Sequence, residues 1–199
     1  MVGRWQQFFR RLAATLLLVA LALHEPGAQE AVYDVDQVKA AFLYHFATYV
    51  TWPAPASTEP LTIAVLGDEG VAAQLARFLP GRRIESRSVQ VRAIARIEEL
   101  ADEEILFIGR SSNPSLAQII AAIGLKPVLV VTDAPDGLDS GSMVNFQEVD
   151  SRLRFEISVP RAEERGLTLS SRLLAAALRV VTSRCCDGVD AHVAANLTD

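Results

Sequence analysis

The sequence predicts a single α/β domain: a three-layer, Rossmann-like sandwich around a mostly parallel central sheet, with an antiparallel hairpin at one edge. Three observations carry this. Leu61 to Leu66, Glu104 to Ile108 and Pro127 to Val131 are near-continuous apolar runs without polar alternation, as expected of strands buried on both faces. Helical patterns separate them, which favours parallel pairing through crossovers. Toward the C-terminus the pattern changes to two alternating segments joined by a short polar turn, an antiparallel signal.

In chain order, the first residues carry Arg4, Arg10 and Arg11 ahead of the apolar run Leu12 to Leu23. A bilayer-spanning helix needs about 20 apolar residues, so this shorter run reads as a cleavable export signal rather than an uncleaved anchor. Ala20-Leu21-Ala22 fits the small-x-small cleavage rule, which gives a signal over residues 1–22; a site after Ala28 has Pro26 unfavourably placed. Cleavage at 22 leaves 177 of the 199 residues and, because three arginines go with it, takes the formal charge from −5 to −8. The mature protein is expected to be soluble outside the cytoplasmic membrane. The folded domain is expected over residues 32–184, with 187–199, which lacks apolar periodicity, expected as a disordered tail.

Val38 to Pro53 is a dense aromatic helix, with Asp34 and Gln37 spaced as its capping box. Its period puts Val35, Val38, Phe42, His45, Phe46 and Tyr49 on one inward stripe, and His45 is then expected as a core histidine. Leu43, Tyr44, Val50 and Trp52 fall outside that stripe, so the helix is either sandwiched or presents a second apolar face to a partner. Trp52-Pro53 is expected to stop it, since the residue before proline avoids the α region. After the linker Ala54 to Pro60 and the first strand comes a helix over Glu69 to Phe78, then a half-buried strand over Ser88 to Ile94. Ile97 to Ala101 forms a short turn. Ser112 or Asn113 caps, and Pro114 opens, a helix reaching Ile123 and ended by Gly124. Ser142 to Gln147 and Arg152 to Val159 form the hairpin, and Ser170 caps a final helix from Ser171 to about Arg184.

Composition excludes several function classes. A net negative chain with 22% charged residues and no basic, aromatic face does not suit nucleic acid, which is bound by neutralising phosphates. Both cysteines, Cys185 and Cys186, are adjacent near the C-terminus, so there is no disulfide framework, and a bond between neighbours requires a strained ring. No HExxH, CxxC, nucleophile elbow or paired-carboxylate spacing is present, and His192 lies in the tail. No metal, cofactor or catalytic residue is expected.

The remaining site residues come from topology. In a doubly wound sheet the carboxyl ends of parallel strands form a ligand crevice, where Gly67, Asp68, Gly109, Arg110, Ser111, Thr132 and Asp133 converge. Gly67-Asp68-Glu69-Gly70 occupies the phosphate-cradle position, but its carboxylates repel an anion, which argues against dinucleotides. Ordinary turn chemistry, with the glycines relieving tight bends and Asp133 starting a turn before Pro135, is the stronger reading of these residues, and a small-molecule pocket is the alternative. Tyr44 and Trp52 on the aromatic helix, and Arg154 and Glu156 on the outward side of the last strand, are expected partner-binding residues. Arg82, Arg83, Arg87 and Arg92 are balanced by Glu85 and read as a solvated edge.

These residues resemble the YfiR family of periplasmic proteins over about Gln37 to Val181. The resemblance rests on Val38 to Pro53, an alanine-aromatic-leucine helix closing on Trp-Pro, and on the strand-glycine pieces Ile63 to Gly67 and Ile105 to Gly109. It continues through Val128 to Asp133, Gly141 to Phe146, Arg154 to Ser158 and Leu169 to Leu174. Ser158 stands where an asparagine is usual and Ser142 where a second glycine is frequent, and the core cysteines that some members pair are absent. The resemblance implies a non-enzymatic regulator of the periplasm, often dimeric. It binds the periplasmic part of an inner-membrane diguanylate cyclase or related sensor and represses it, lowering cyclic-di-GMP and biofilm formation. The alternative expectation is a periplasmic small-molecule receptor using the strand-end crevice.

Overall fold

Five strands run parallel at the centre of the sheet, and the middle three are near-continuously buried on both faces, with helices covering each side. In the computed structural model, which describes residues 34–53, 60–111 and 116–183, helix α1 (Val35–Tyr49) leads through the short strand β1 (Val50–Thr51) into β2 (Leu61–Leu66). Then follow α2 (Glu69–Phe78), β3 (Arg83–Ile84), β4 (Arg87–Ile94), a 3-10 turn (Ile97–Glu99), β5 (Ile105–Ile108), α3 (Leu116–Ile123) and β6 (Leu129–Thr132). The chain continues with β7 (Val144–Val149), β8 (Arg152–Ser158), α4 (Val159–Glu164), β9 (Thr168–Leu169), α5 (Ser171–Ala176) and β10 (Arg179–Val181).

The main sheet has the order β10-β8-β7-β6-β5-β2-β4-β3, in which β4, β2, β5, β6 and β7 are mutually parallel. Counted along the chain, that parallel core is ordered 2-1-3-4-5, the flavodoxin-like doubly wound arrangement, and its switch point lies between β2 and β5. The hairpin β7–β8 is antiparallel, turned by Asp150 and Ser151 at φ +50° and +57°, the backbone a two-residue type I′ loop requires. Beyond it β10 pairs parallel with β8, and β3 pairs antiparallel with β4 at the opposite edge.

Two apolar clusters flank the sheet. One joins Ala40, Leu43, Phe46 and Ala47 of α1, Val71 and Leu75 of α2 and Leu173 of α5 to Ile63, Val65, Ile105, Phe107, Val131, Phe146 and Phe155. The other sets Leu116, Ile120 and Ile123 of α3 against Ala64, Leu106, Ile108 and Val130. At the centre of the first, Phe42, Phe46, Phe107, Phe146 and Phe155 form a ring cluster with centroids 5.1 to 6.1 Å apart. The α1 helix is therefore sandwiched between the sheet, α2 and α5.

Several sequence expectations are corrected here. The inward face of α1 is Lys39, Ala40, Leu43, Phe46 and Ala47, so the stripe is rotated toward Leu43, while Phe42 is half-buried and His45 is exposed rather than core. The helix ends at Tyr49, before Trp52-Pro53, because Val50 and Thr51 turn extended to pair with β9. The final helix is one and a half turns long: Ala177 turns extended, Leu178 is 49% exposed, and Arg179 to Val181 leave as an edge strand. Arg87 pairs with buried Glu104, and Arg92 with buried Glu103 at 2.6 Å, whereas Glu85 sits in the β3–β4 turn at φ +53°. The export signal, residues 54–59 of the linker, the capping residues Ser112 and Asn113 with Pro114, Cys185, Cys186 and the tail lie outside the described residues.

Phe46 is 1% exposed and His45 lies on the solvent side of the same helix. Phe46→Ala is expected to cost about 3–5 kcal/mol in denaturant unfolding, and His45→Ala to stay within about 0.5 kcal/mol of the parent. Equal costs would show that α1 is not packed through Phe46.

Candidate functional site

The crevice at the switch point is built from two strand ends in direct contact. Gly67, at φ +73°, turns the chain out of β2, and Asp68 caps α2 by accepting from the Val71 amide at 2.9 Å. Gly109 leaves β5 against that turn: its amide donates to the Leu66 carbonyl at 2.8 Å, and an added Cβ would stand 2.6 Å from both Asp68 Cβ and the Gly67 oxygen. Only glycine permits this approach. The Ser111 hydroxyl donates to the Gly67 carbonyl, and Arg110 Nε donates to the Asp133 carbonyl at 3.3 Å.

Into this junction α1 delivers a lysine. Lys39 is 8% exposed; its Nζ lies 2.6 Å from Asp133 Oδ2 and 3.6 Å from Asp68 Oδ2, and 5.6 Å from the centroid of the Phe107 ring. Asp133 is itself 5% exposed. Burying an ammonium alone is prohibitive, and the two carboxylates with the aromatic face offset that cost. Beside the cluster opens a cavity of about 520 Å³, lined by Gly67, Asp68, Arg110, Ser111 and Asp133 together with Val35, Lys39, Glu69, Phe146, Glu148 and Leu153.

The structure thus brings five of the sequence-predicted crevice residues around one cavity, with Gly109 immediately behind. Thr132 does not join them. It shares the α3 side of the sheet with Val130, where its hydroxyl meets Ser142 Oγ at 3.0 Å and Asn145 Oδ1 at 2.8 Å beneath Gly137. Lys39, Phe146, Glu148 and Leu153 were missed by sequence reasoning. Lys39 was discoverable: it stands four residues from both Val35 and Leu43, so a helix turned toward Leu43 carries the lysine inward with it.

The expected partner residues fall on two surfaces separated by most of the sheet. Tyr44 and Trp52 line a second cavity of about 500 Å³ with Thr48, Leu61, Arg83 and Arg87, at the opposite end of β2 from Gly67. Their polar atoms are engaged internally, Tyr44 Oη with the Arg83 carbonyl and Trp52 Nε1 with the Glu104 carbonyl, each at 3.2 Å. Arg154 is exposed on the outward side of β8, while Glu156 is held by a two-pronged pair with Arg179 at 2.9 and 3.0 Å.

Asp36 sits at the α1–α2 contact, where a Cβ on Gly70 would lie 2.1 Å from its Oδ2. Partial burial, reinforced by Asp68, raises its carboxyl above the ordinary range; Lys39 pulls the other way, and Asp34 and Asp133 add to the rise. Among the described residues no group of three or more His, Cys, Asp or Glu side chains is placed to hold a metal, and no helix is long and apolar enough to cross a membrane.

The family model described as YfiR/HmsC-like matches residues 36–177, from the first turn of α1 to the end of α5. The chain belongs to the YfiR/HmsC-like family. Among solved structures it is similar to a conserved domain protein from Vibrio cholerae O1 biovar El Tor, with 12% identity and a TM-score of 0.49 over 73% of this chain and 60% of that one. It is also similar to an ABC domain in complex with L-Trp from Streptococcus pneumonia, with 13% identity and a TM-score of 0.45 over 61% of this chain and 55% of that one. The chain therefore spans less than two thirds of either structure. No curated protein matches the sequence.

The Asp36 environment yields a signed pH prediction. A carboxyl whose folded-state pKa is raised penalises the folded state fully above that pKa, and the penalty fades as pH falls toward the unfolded value of 3.8. Asp36→Asn is expected to melt above the parent at neutral pH, with the gap closing as the solution is acidified through the raised pKa. A variant less stable than the parent at neutral pH would contradict the electrostatics described.

Proposed function

We propose that this protein is a periplasmic repressor of a membrane diguanylate cyclase: exported by residues 1–22, it binds the periplasmic part of that enzyme and holds its output down, lowering cyclic-di-GMP and biofilm formation. The observation that carries the reading is the YfiR/HmsC-like match over residues 36–177. That family membership suggests a regulator of diguanylate cyclase signalling in the periplasm, acting by binding rather than catalysis. The repression itself, the export signal and the domain limits 32–184 are our inference.

Charge and exposure support one refinement of the partner surface. The outward row Arg152 and Arg154 on β8 is exposed, so Arg154 is the first residue we assign to the interface; arginine is among the side chains in which interface energy concentrates. Tyr44 and Trp52 border the second cavity with their polar atoms bonded inside the domain, which makes their rings, not their donors, the groups a partner meets. Glu156 serves mainly to fix Arg179 beside Arg154.

Deleting the gene is expected to raise cyclic-di-GMP in cells that express the cognate cyclase. Re-expression of the exported protein restores repression, and a form retained in the cytoplasm does not. Arg154→Ala is expected to relieve repression while leaving the melting temperature unchanged. Unaltered cyclic-di-GMP on deletion, with the cyclase present and active, would sink the repressor reading.

A further inference from the structure

The outward face of the β7–β8 hairpin is a strip of sheet without a helix over it. Phe146, Leu153 and Phe155 point into the α1 cluster, so strand alternation puts Gln147, Arg152 and Arg154 on the other side. Among the described residues, the apolar cluster beneath α3 contains nothing from β7, β8 or β10. The turn after β6 covers this side at Asn145, whose Oδ1 a Cβ on Gly137 would approach to 2.3 Å. Past Asn145 the face is open: Arg152 and Arg154 are exposed, and Val149, paired with Arg152 across the hairpin, is 36% exposed.

The two arginines on this face differ from others on the sheet. Arg87, Arg92 and Arg179 each hold a carboxylate. Arg152 and Arg154 make no hydrogen bond or ion pair with any described residue, and Glu156, next in the same row, is taken by Arg179. A chain of formal charge −5 therefore keeps two uncompensated guanidinium groups side by side, with Asp150 at the hairpin tip beyond them. Two residues apart on one strand, they are spaced by about 6.6 Å, as are alternate side chains of any extended segment. Anionic lipid surfaces are held by clusters of about four to eight basic residues, and two are too few. A second copy docked about a two-fold axis through this face would set the same arginines against each other. We propose that this face docks an acidic segment of the membrane partner in extended conformation, whose alternate carboxylates each take the fork of one guanidinium. The rest of the chain is net negative, so an acidic partner is repelled elsewhere and drawn here, which orients docking more than it strengthens it. The inference rests on the repressor reading for the identity of the partner, and on this face alone for the chemistry of its segment.

The test is fluorescence anisotropy of the purified chain with labelled, capped decapeptides at low ionic strength: alternating glutamate and threonine, with glutamine and threonine as the neutral control. The glutamate peptide is expected to bind saturably and to weaken as salt is added, and the glutamine peptide not to bind. Arg152→Ala and Arg154→Ala should each weaken binding on the order of two- to fivefold, the worth of one exposed ion pair, and Arg154→Lys by less than Arg154→Ala. Arg152→Glu combined with Arg154→Glu should abolish it; both positions are exposed, so the fold is kept, and an unchanged melting temperature checks this. Absence of saturable glutamate-peptide binding overturns the proposal while leaving the deletion test of repression to stand or fall by itself. Unchanged affinity in the double glutamate variant overturns it too. So does any of three results that name another occupant: tighter binding to phosphatidylglycerol vesicles than to the peptide, self-association abolished by the double variant, or peptide affinity raised by Asp187→Asn with Asp190→Asn, which would assign the face to residues 187–199.

Discussion

The buried contact of Lys39 with Asp133 and Asp68 is the constraint around which the described structure is arranged. It joins the first helix to the ends of two parallel strands: the charges of Lys39 and Asp133 cannot remain buried unless they arrive together, and half-buried Asp68 supplies a second carboxylate beside them. The inward rotation of α1 follows from it: with Lys39 inside, Leu43, Phe46 and Ala47 fall on the sheet and His45 on the solvent side. The aromatic cluster then closes over the same helix, so that one element carries both the main apolar contact and the polar end of the crevice.

The doubly wound topology separates the molecule into regions with different chemistry. At the carboxyl ends of β2, β5 and β6 lies an open, acidic crevice with a buried ion pair. At the opposite end of β2, Tyr44 and Trp52 border a second cavity, with the Tyr44 hydroxyl and the Trp52 indole N–H bonded inside the domain. Beyond the region covered by α3, β7 and β8 show an outward face carrying Arg152, Arg154 and the Glu156–Arg179 pair. A binding regulator needs a surface for its partner and gains a means of control if a second site lies on the same rigid core. Here α1 borders both the crevice, through Lys39, and the second cavity, through Tyr44.

Much of the fold was legible because local chemistry and tertiary context agree. The strand Leu61–Leu66 and the helix Glu69–Phe78 match their sequence limits, since an unbroken apolar run followed by Gly67 and the cap Asp68 leaves few alternatives. Legibility failed where long-range contacts overrule periodicity. Val50 and Thr51 leave the helix to pair with Leu169 and Thr168, and the C-terminal stripe breaks at Ala177 so that Arg179 can pair in register with Glu156. Of the site, the strand-end residues were accessible because topology alone brings them together. Lys39 was legible only through its spacing from Val35 and Leu43 on a helix turned toward Leu43; taken alone, a lysine on an aromatic helix reads as solvent-facing until its two carboxylates, far away in sequence, are in place.

The central claim is that Lys39 and Asp133 stabilise the domain as a pair and not as separate polar groups. A double-mutant cycle measured by denaturant unfolding, with Lys39→Met, Asp133→Leu and the double variant, tests it most directly. Each single change leaves one buried charge without its main partner and is expected to cost about 3–5 kcal/mol, while the double variant recovers most of that loss, giving a coupling energy of about 2 kcal/mol or more. Strictly additive single effects would contradict the account.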